Sequence, residues 1–270
     1  MLPETAILDL YHMPIAAGIH YFLHEGGSVL RPPLVLIHGA GGDHLSWPAE
    51  VRRLPDYRVI TLDLPGHGKT DGPGCQSIED YARNVVKFLD FSGLSRSVFV
   101  GHAMGGAIAL ALALDFPERV AGIGLISTGA CLPIPSSVIE NAANQSTLLL
   151  AIKSLQEMSL GPQTSANVIE TSLKRLTEIR QPLLLGDLVA SDRFNRAGHL
   201  GAIRCPALVV CGTEDKLTPI RFSETLSSQI PGAALQTVDG AGHLLIHEQP
   251  GRLAKLISVF LATILYTPGM

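Results

Sequence analysis

Several things are scarce or missing in this 270-residue sequence, and each narrows what the chain can be. Charged residues make up only 16%, the net charge is −4, and there is no run of Lys or Arg. Neither a nucleic-acid face nor an anionic-membrane face is therefore expected. The four cysteines, Cys75, Cys131, Cys205 and Cys211, show no CxxC or metal-finger spacing. Cys205 and Cys211 bracket an expected strand and lie too far apart along it to pair. Reduced thiols in a cytoplasmic protein are the expectation. The first residues hold Glu4 and Asp9 and no basic stretch followed by an apolar one, so no secretory signal is read there. The longest apolar stretch near the end, Leu256 to Tyr266, is too short to span a bilayer and reads as an amphipathic helix. No GxGxxG follows the first buried strand and no Walker pattern occurs, so no nucleotide cofactor is indicated. There is no internal repeat or low-complexity segment.

What is present is apolar residue in quantity, 46% of the chain, enough for one substantial core. From residue 34 onward, short apolar runs alternate with helical ones. Leu34–Ile37, Arg58–Leu62, Ser97–Val100, Ile123–Ile126, Ala207–Cys211 and Ala234–Val238 suit strands buried on both faces of a parallel sheet. Ile7–Tyr11 and Ile19–Leu23 read as a hairpin added at one edge. Ser77 can cap a helix from Ile78 to about Phe91 that Gly93 stops. Met104 to Leu114 is apolar nearly all round, which places a helix there in the middle of the protein. The expected fold is α/β, a mostly parallel sheet of roughly eight strands flanked by helices.

One stretch breaks the rhythm. Between Ser127 and Arg204 no convincing strand occurs, and Ser137–Leu160, Thr164–Ile179 and Pro182–Ala197 read as helices. A helical lid inserted after the sixth strand is expected, at 131–199, on a core formed by 1–130 and 200–270.

The most informative segment is Gly101-His-Ala-Met-Gly105. It follows the Ser97–Val100 strand and opens the apolar helix, which is the strand–turn–helix context of a nucleophile elbow. The flanking glycines leave room for a strained central residue. Only that residue is unusual: Ala103 stands where a hydroxyl is expected.

Gly101-His-Ala-Met-Gly-Gly106 resembles the Gly-His-Ser-Met-Gly-Gly elbow of the α/β-hydrolase superfamily, on its serine-esterase branch. Four more segments resemble the same superfamily in the same order: His38-Gly-Ala-Gly-Gly42, Asp63-Leu-Pro-Gly-His-Gly68, Gly212-Thr-Glu-Asp215 and Gly240-Ala-Gly-His243. The resemblance covers nearly the whole chain and is weakest across the lid. It implies Asp215 as the catalytic acid and His243 as the base, in the chain order nucleophile, acid, base. Glu214 ranks below Asp215, and His247 reads as packing or solvent-facing. Histidine suits the base role because it takes and returns a proton near neutral pH. The oxyanion hole is expected from the N–H of Met104, at a helix N-terminus, and that of Ala40, with Gly39 as fallback. His38, His102 and Cys131 are candidates for the substrate pocket, although His38 also reads as bonding loop backbone and His102 as packing beneath the lid. Asp63 invites a metal or phosphate reading, but it is a lone carboxylate in the sequence, so a turn-forming role and no metal are expected.

The resemblance implies a serine hydrolase that cleaves a small-molecule carboxylic ester by acyl-enzyme chemistry, here with little turnover. The lid's Leu, Ile, Val and Ala favour a small or medium apolar ester. A carbon–carbon bond hydrolase of a ring-fission product is the alternative, and an arginine in the lid would favour it, with Arg175, Arg180 and Arg193 as candidates. A non-catalytic binding protein on the same fold is a third. Two explanations fit the alanine: a serine replaced so that substrate is held intact, or a natural non-enzyme. The retained acid, base and glycines favour the first. Oligomeric state, monomer or dimer, is left open.

Overall fold

The computed structural model describes residues 14–27 and 31–264. The expected strand at Ile7–Tyr11 lies outside them. The eight strands of the sheet are β1 (Ile15–Ala16), β2 (Ile19–His24), β3 (Leu34–Ile37), β4 (Val59–Leu62), β5 (Ser97–His102), β6 (Val120–Ile126), β7 (Ala207–Gly212) and β8 (Ala234–Val238). Their spatial order is β1-β2-β4-β3-β5-β6-β7-β8. The six strands β3 to β8 run parallel, while β1 and β2 pair antiparallel at one edge. The loops that leave the carboxyl ends of the parallel strands therefore all emerge along one edge of the sheet, where ligands bind in open α/β sheets.

Strand alternation divides the core in two. Val35 and Ile37 of β3 enter the cluster on one face, and Leu34 and Leu36 enter the cluster on the other. Helices α2 (Ile78–Phe91) and α3 (Met104–Asp115) cover the first face; α1 (Ala49–Arg52) and α10 (Pro250–Ala262) cover the second. Ser77 caps α2 as expected, its hydroxyl accepting from the Asp80 N–H. Strand β8 departs from the buried-strand expectation: as the last strand of the sheet it has one neighbour, and only Val238 is buried.

The segment between β6 and β7 folds as four helices, α4 (Ser136–Ala142), α5 (Leu148–Ser159), α6 (Ala166–Glu178) and α7 (Gln181–Arg193). The single helix expected over Ser137–Leu160 is broken into two. At the break, Thr147 Oγ1 donates to the Asn141 carbonyl and Asn144 accepts from the Ser146 N–H. Short polar side chains that bond nearby backbone compete with the helix in this way. The insertion has a small core of its own, built from residues such as Val138, Ile152, Leu155, Leu184 and Leu188. Helices α8 (Ile220–Gln229) and α9 (Leu245–Glu248) complete the chain. Among the described residues no helix is long and apolar enough to cross a membrane.

Candidate active site

Ala103 sits between β5 and α3 with φ +50° and ψ −114°, a conformation that non-glycine residues rarely adopt. Such backbone strain costs on the order of 1–3 kcal/mol and persists where the surroundings over-determine it. Here they do. The Ala103 N–H donates to the Ile126 carbonyl at 3.0 Å, and its own carbonyl accepts from Thr128 Oγ1 at 2.8 Å. A Cβ on Gly101 would strike the Gly105 carbonyl, and one on Gly105 would strike that of Ile37. The elbow geometry inferred from the glycines is therefore present.

Asp215 and His243 lie on the loops after β7 and β8 and are both buried, while Glu214 is exposed. His243 Nδ1 meets Asp215 Oδ2 at 2.9 Å. Asp215 also accepts from the backbone N–H groups of Leu217 and Thr218, at 2.9 and 2.7 Å, and from Thr218 Oγ1 at 2.7 Å. Burial alone would raise its carboxyl, but the His243 ring and these donors hold it below the ordinary carboxylate range. With Nδ1 directed to a carboxylate, the other ring nitrogen of His243 is the one left for chemistry.

His102, next to Ala103, donates from Nε2 to the His243 carbonyl at 2.9 Å. Burial, then the neighbouring His243 ring, pushes it down to about 3, so it stays neutral. It lines the cavity and, through this bond, also braces the loop that carries His243. The loop after β3 approaches the elbow closely: a Cβ on Gly39 would lie 3.4 Å from that of Ala103.

Ala103, Met104, His102, His243, Gly39 and Ala40 all border one cavity of about 410 Å³, whose far wall comes from the helical insertion. Two pocket candidates do not. His38 is fully buried behind the loop, where Nδ1 bonds the Gly39 carbonyl at 2.8 Å and Nε2 accepts from the Leu64 N–H. Burial and His67 lower it to about 4, and it acts as a loop brace. Cys131 does not reach the cavity; it forms an isolated bridge with Asn195, and its neighbours Leu132 and Pro133 line the wall instead. His247, expected to pack or face solvent, does line the cavity. Burial, then the nearby Arg175, lowers it to about 4.

The three arginines differ in their surroundings. Arg193 is exposed. Arg180 borders the cavity but spends Nη2 on the Gly66 and Gly72 carbonyls at 2.8 and 2.9 Å. Arg175 borders the cavity, and its Nη1 is buried with no hydrogen-bond partner, the carboxylate of Asp43 standing 3.8 Å away. Most apolar residues of the insertion build its own core, while Leu183, Leu184 and Leu188 also face the cavity.

Asp63 departs from expectation in its surroundings. It is fully buried and far from lone, accepting from His20 Nδ1 at 2.7 Å, His44 Nδ1 at 2.9 Å and the N–H groups of His44 and Lys69. Both histidines are distant in sequence, so no local signal revealed them. Among the described residues, these three form the one group with the spacing to hold a metal ion. The carboxylate's acceptor sites are taken by N–H donors, an arrangement that braces the turn after β4.

Known proteins of similar sequence and fold include several hydrolases. The 2-hydroxy-6-oxononadienedioate/2-hydroxy-6-oxononatrienedioate hydrolase of Paraburkholderia phymatum is 30% identical, over 93% of this chain and 97% of that one. The 2-hydroxymuconate semialdehyde hydrolase of Pseudomonas putida is 30% identical, over 92% of each. The solved structure of a thermophilic esterase from Thermogutta terrifontis, with malate bound, superposes with a TM-score of 0.82 at 25% identity, over 92% of this chain and 94% of that one. Relatives thus include carbon–carbon bond hydrolases and esterases. Residues 34–256 match the alpha/beta hydrolase family, and with the sheet order and relatives described above, the chain belongs to that family.

Proposed function

We propose that this is a serine-type hydrolase site acting on a carboxylic ester, lacking only the nucleophile oxygen at position 103. The observation that carries the reading is the buried Asp215–His243 pair opening on the same cavity as the strained elbow residue. With serine at 103, the hydroxyl attacks the substrate carbonyl while His243 takes its proton, oriented by Asp215. The N–H groups of Ala40 and Met104 hold the oxyanion, with Gly39 beside them. The base then returns the proton to the leaving group, and water releases the acid. With alanine, substrate binds and turnover falls on the order of 10⁶-fold. The insertion acts as a lid, and its leucines favour an apolar acyl or alcohol part.

One observation favours the carbon–carbon alternative. Arg175 offers at the cavity a buried guanidinium nitrogen that makes no hydrogen bond, its ion-pair partner Asp43 standing 3.8 Å away, and so a donor suited to a substrate carboxylate. Two of the relatives carry dioate or semialdehyde substrates in their names.

The test is Ala103→Ser, assayed with an uncharged chromogenic short-chain ester and with a 2-hydroxy-6-oxo-dienoate. Hydrolysis of the ester supports the first reading; preference for the dienoate supports the second. A folded Ala103→Ser protein inert to both refutes hydrolysis and leaves a binding protein.

A further inference from the structure

Helix α7 of the insertion reads Leu-Leu-Leu-Gly-Asp-Leu-Val-Ala over 183–190, and its one carboxylate in that stretch, Asp187, has 0% exposure. A buried carboxylate is costly unless donors surround it. Asp187 has three, each from a different part of the core. Gly41 N–H, in the loop after β3, donates to Oδ2 at 2.8 Å. His67 Nε2, in the loop after β4, meets Oδ2 at 2.7 Å. Tyr81 Oη, on α2, donates to Oδ1 at 2.6 Å.

The Gly41 bond matters most for the site. Gly41 holds φ +63°, and the space a Cβ would fill is taken by Ile179 of the insertion. In the same loop the Gly42 N–H donates to the Gly39 carbonyl at 3.1 Å, and the Asp43 N–H to Ser46 Oγ at 3.0 Å. The loop's amides are thus tied down from Gly41 onward, and Ala40, the residue just before, borders the cavity. Of those ties, the one at Gly41 comes from outside the core.

We infer that Asp187 is a positioning residue for the oxyanion loop: through it, docking of the insertion sets the orientation of the Ala40 N–H, so the site is complete only with the insertion seated. The inference rests on the role proposed above for Ala40. It gives the insertion a part in the chemical step as well as in covering substrate. An oxyanion donor acts mainly in the transition state, so its misplacement lowers kcat more than it raises KM.

Two measurements test this. In the Ala103→Ser background, Asp187→Ala, which leaves Gly41 no side-chain acceptor, is expected to lower kcat at least about tenfold with KM changed less than about threefold. Tyr81→Phe removes a different donor from the same carboxylate and leaves the Gly41 bond; kcat should stay within about threefold of the parent while Tm falls. An equal loss of kcat in Tyr81→Phe, or an unchanged kcat in Asp187→Ala, overturns the inference, since the carboxylate would then serve stability alone. The second measurement needs no activity. Amide exchange at Gly41, followed by NMR with ¹⁵N-glycine in the chain carrying Ala103, should quicken at least about tenfold in Asp187→Ala, while β3 amides keep their protection by mass spectrometry. Unchanged Gly41 exchange also overturns it. If Ala103→Ser proves inert, the hydrolase reading fails while the exchange experiment still decides the role of Asp187. Should Asp187→Ala not fold, Asp187→Glu, which keeps the charge and displaces it by one methylene, carries the same expectations.

Discussion

Helices α3 and α6 have almost the same length and opposite surroundings. In α3, ten of twelve residues are buried, on every side of the helix; in α6, of thirteen, none is. The first begins at the elbow and holds Ala103 in its strained turn. The second supplies Ser172, Arg175 and Leu176 to the far wall of the cavity. Full burial of an apolar side chain stabilises by roughly 1.5–3 kcal/mol, so α3 is held in place many times over. Helix α6 rests on one face and on contacts within the insertion. The proposed chemistry is thus mounted on an almost fully buried helix, and the proposed substrate wall on one without a buried residue.

This contrast can be broken most directly at the elbow. Ala103→Ser should raise hydrolysis on the order of 10⁶-fold over the chain with alanine, because the surrounding machinery is already in register; steady-state assays with the ester and dienoate probes measure it. In that background Asp215→Asn should lower kcat on the order of 10⁴-fold, since the amide would hold the His243 ring in the wrong tautomer. A loss under tenfold would remove Asp215 from the chemistry.

Changes on the insertion should depend on substrate. Arg175→Gln is expected to raise KM for a carboxylate-bearing substrate by roughly 10–100-fold, the value of about one charge-assisted hydrogen bond, and to leave an uncharged ester within about twofold. Equal effects on both substrates would mean that Arg175 serves the insertion's structure.

Acid should act on the core. His38 and His102 are buried and held down to about 4 and about 3, below the ordinary value of 6.5. Between those values and 6.5 the unfolded chain takes protons that the folded chain refuses, so stability falls as pH falls through that window, by up to about 1.4 kcal/mol per pH unit for each ring. Asp215, held below its ordinary value, adds a loss of the same sign at the acid end. Thermal melts at pH 7, 5.5 and 4.5 should show Tm dropping stepwise; a flat profile would contradict the neutral, buried state of these rings. The smallest effect is expected from Ser77→Ala, which deletes the cap of α2 and should cost about 1 kcal/mol without altering substrate selectivity.

The same contrast separates what was legible from what was not. Strands β3, β5 and β7 announce themselves as short apolar runs because both faces of a parallel strand are buried. The elbow, Asp215 and His243 stand out because each lies in a glycine-rich segment at a strand end that resembles this family. Within the insertion, an apolar side chain facing the insertion's own core and one facing the cavity look alike in sequence. Composition therefore cannot tell Ile152, buried in that core, from Leu183, which borders the cavity. Cys131 lies one residue away from the wall that Leu132 forms, and His38 turns inward to its own loop.

By itself, then, the sequence determined the layered α/β architecture and the position of the strained turn, because each depends on local spacing or on a strand's two buried faces, and its family resemblance pointed to Asp215 and His243, the acid and base proposed here. Only the tertiary structure decided which arginine brings a buried nitrogen without a hydrogen bond to the cavity, that Asp63 sits between His20 and His44, and that Asp187 reaches Gly41 across 146 residues. Those facts depend on where separate segments meet. A buried charge finds its partners through the folded chain, and neither its own neighbours nor its residue type records who they are. At Ala103 the two kinds of information meet: sequence names the residue, and the fold shows the strained backbone that still holds it at φ +50°.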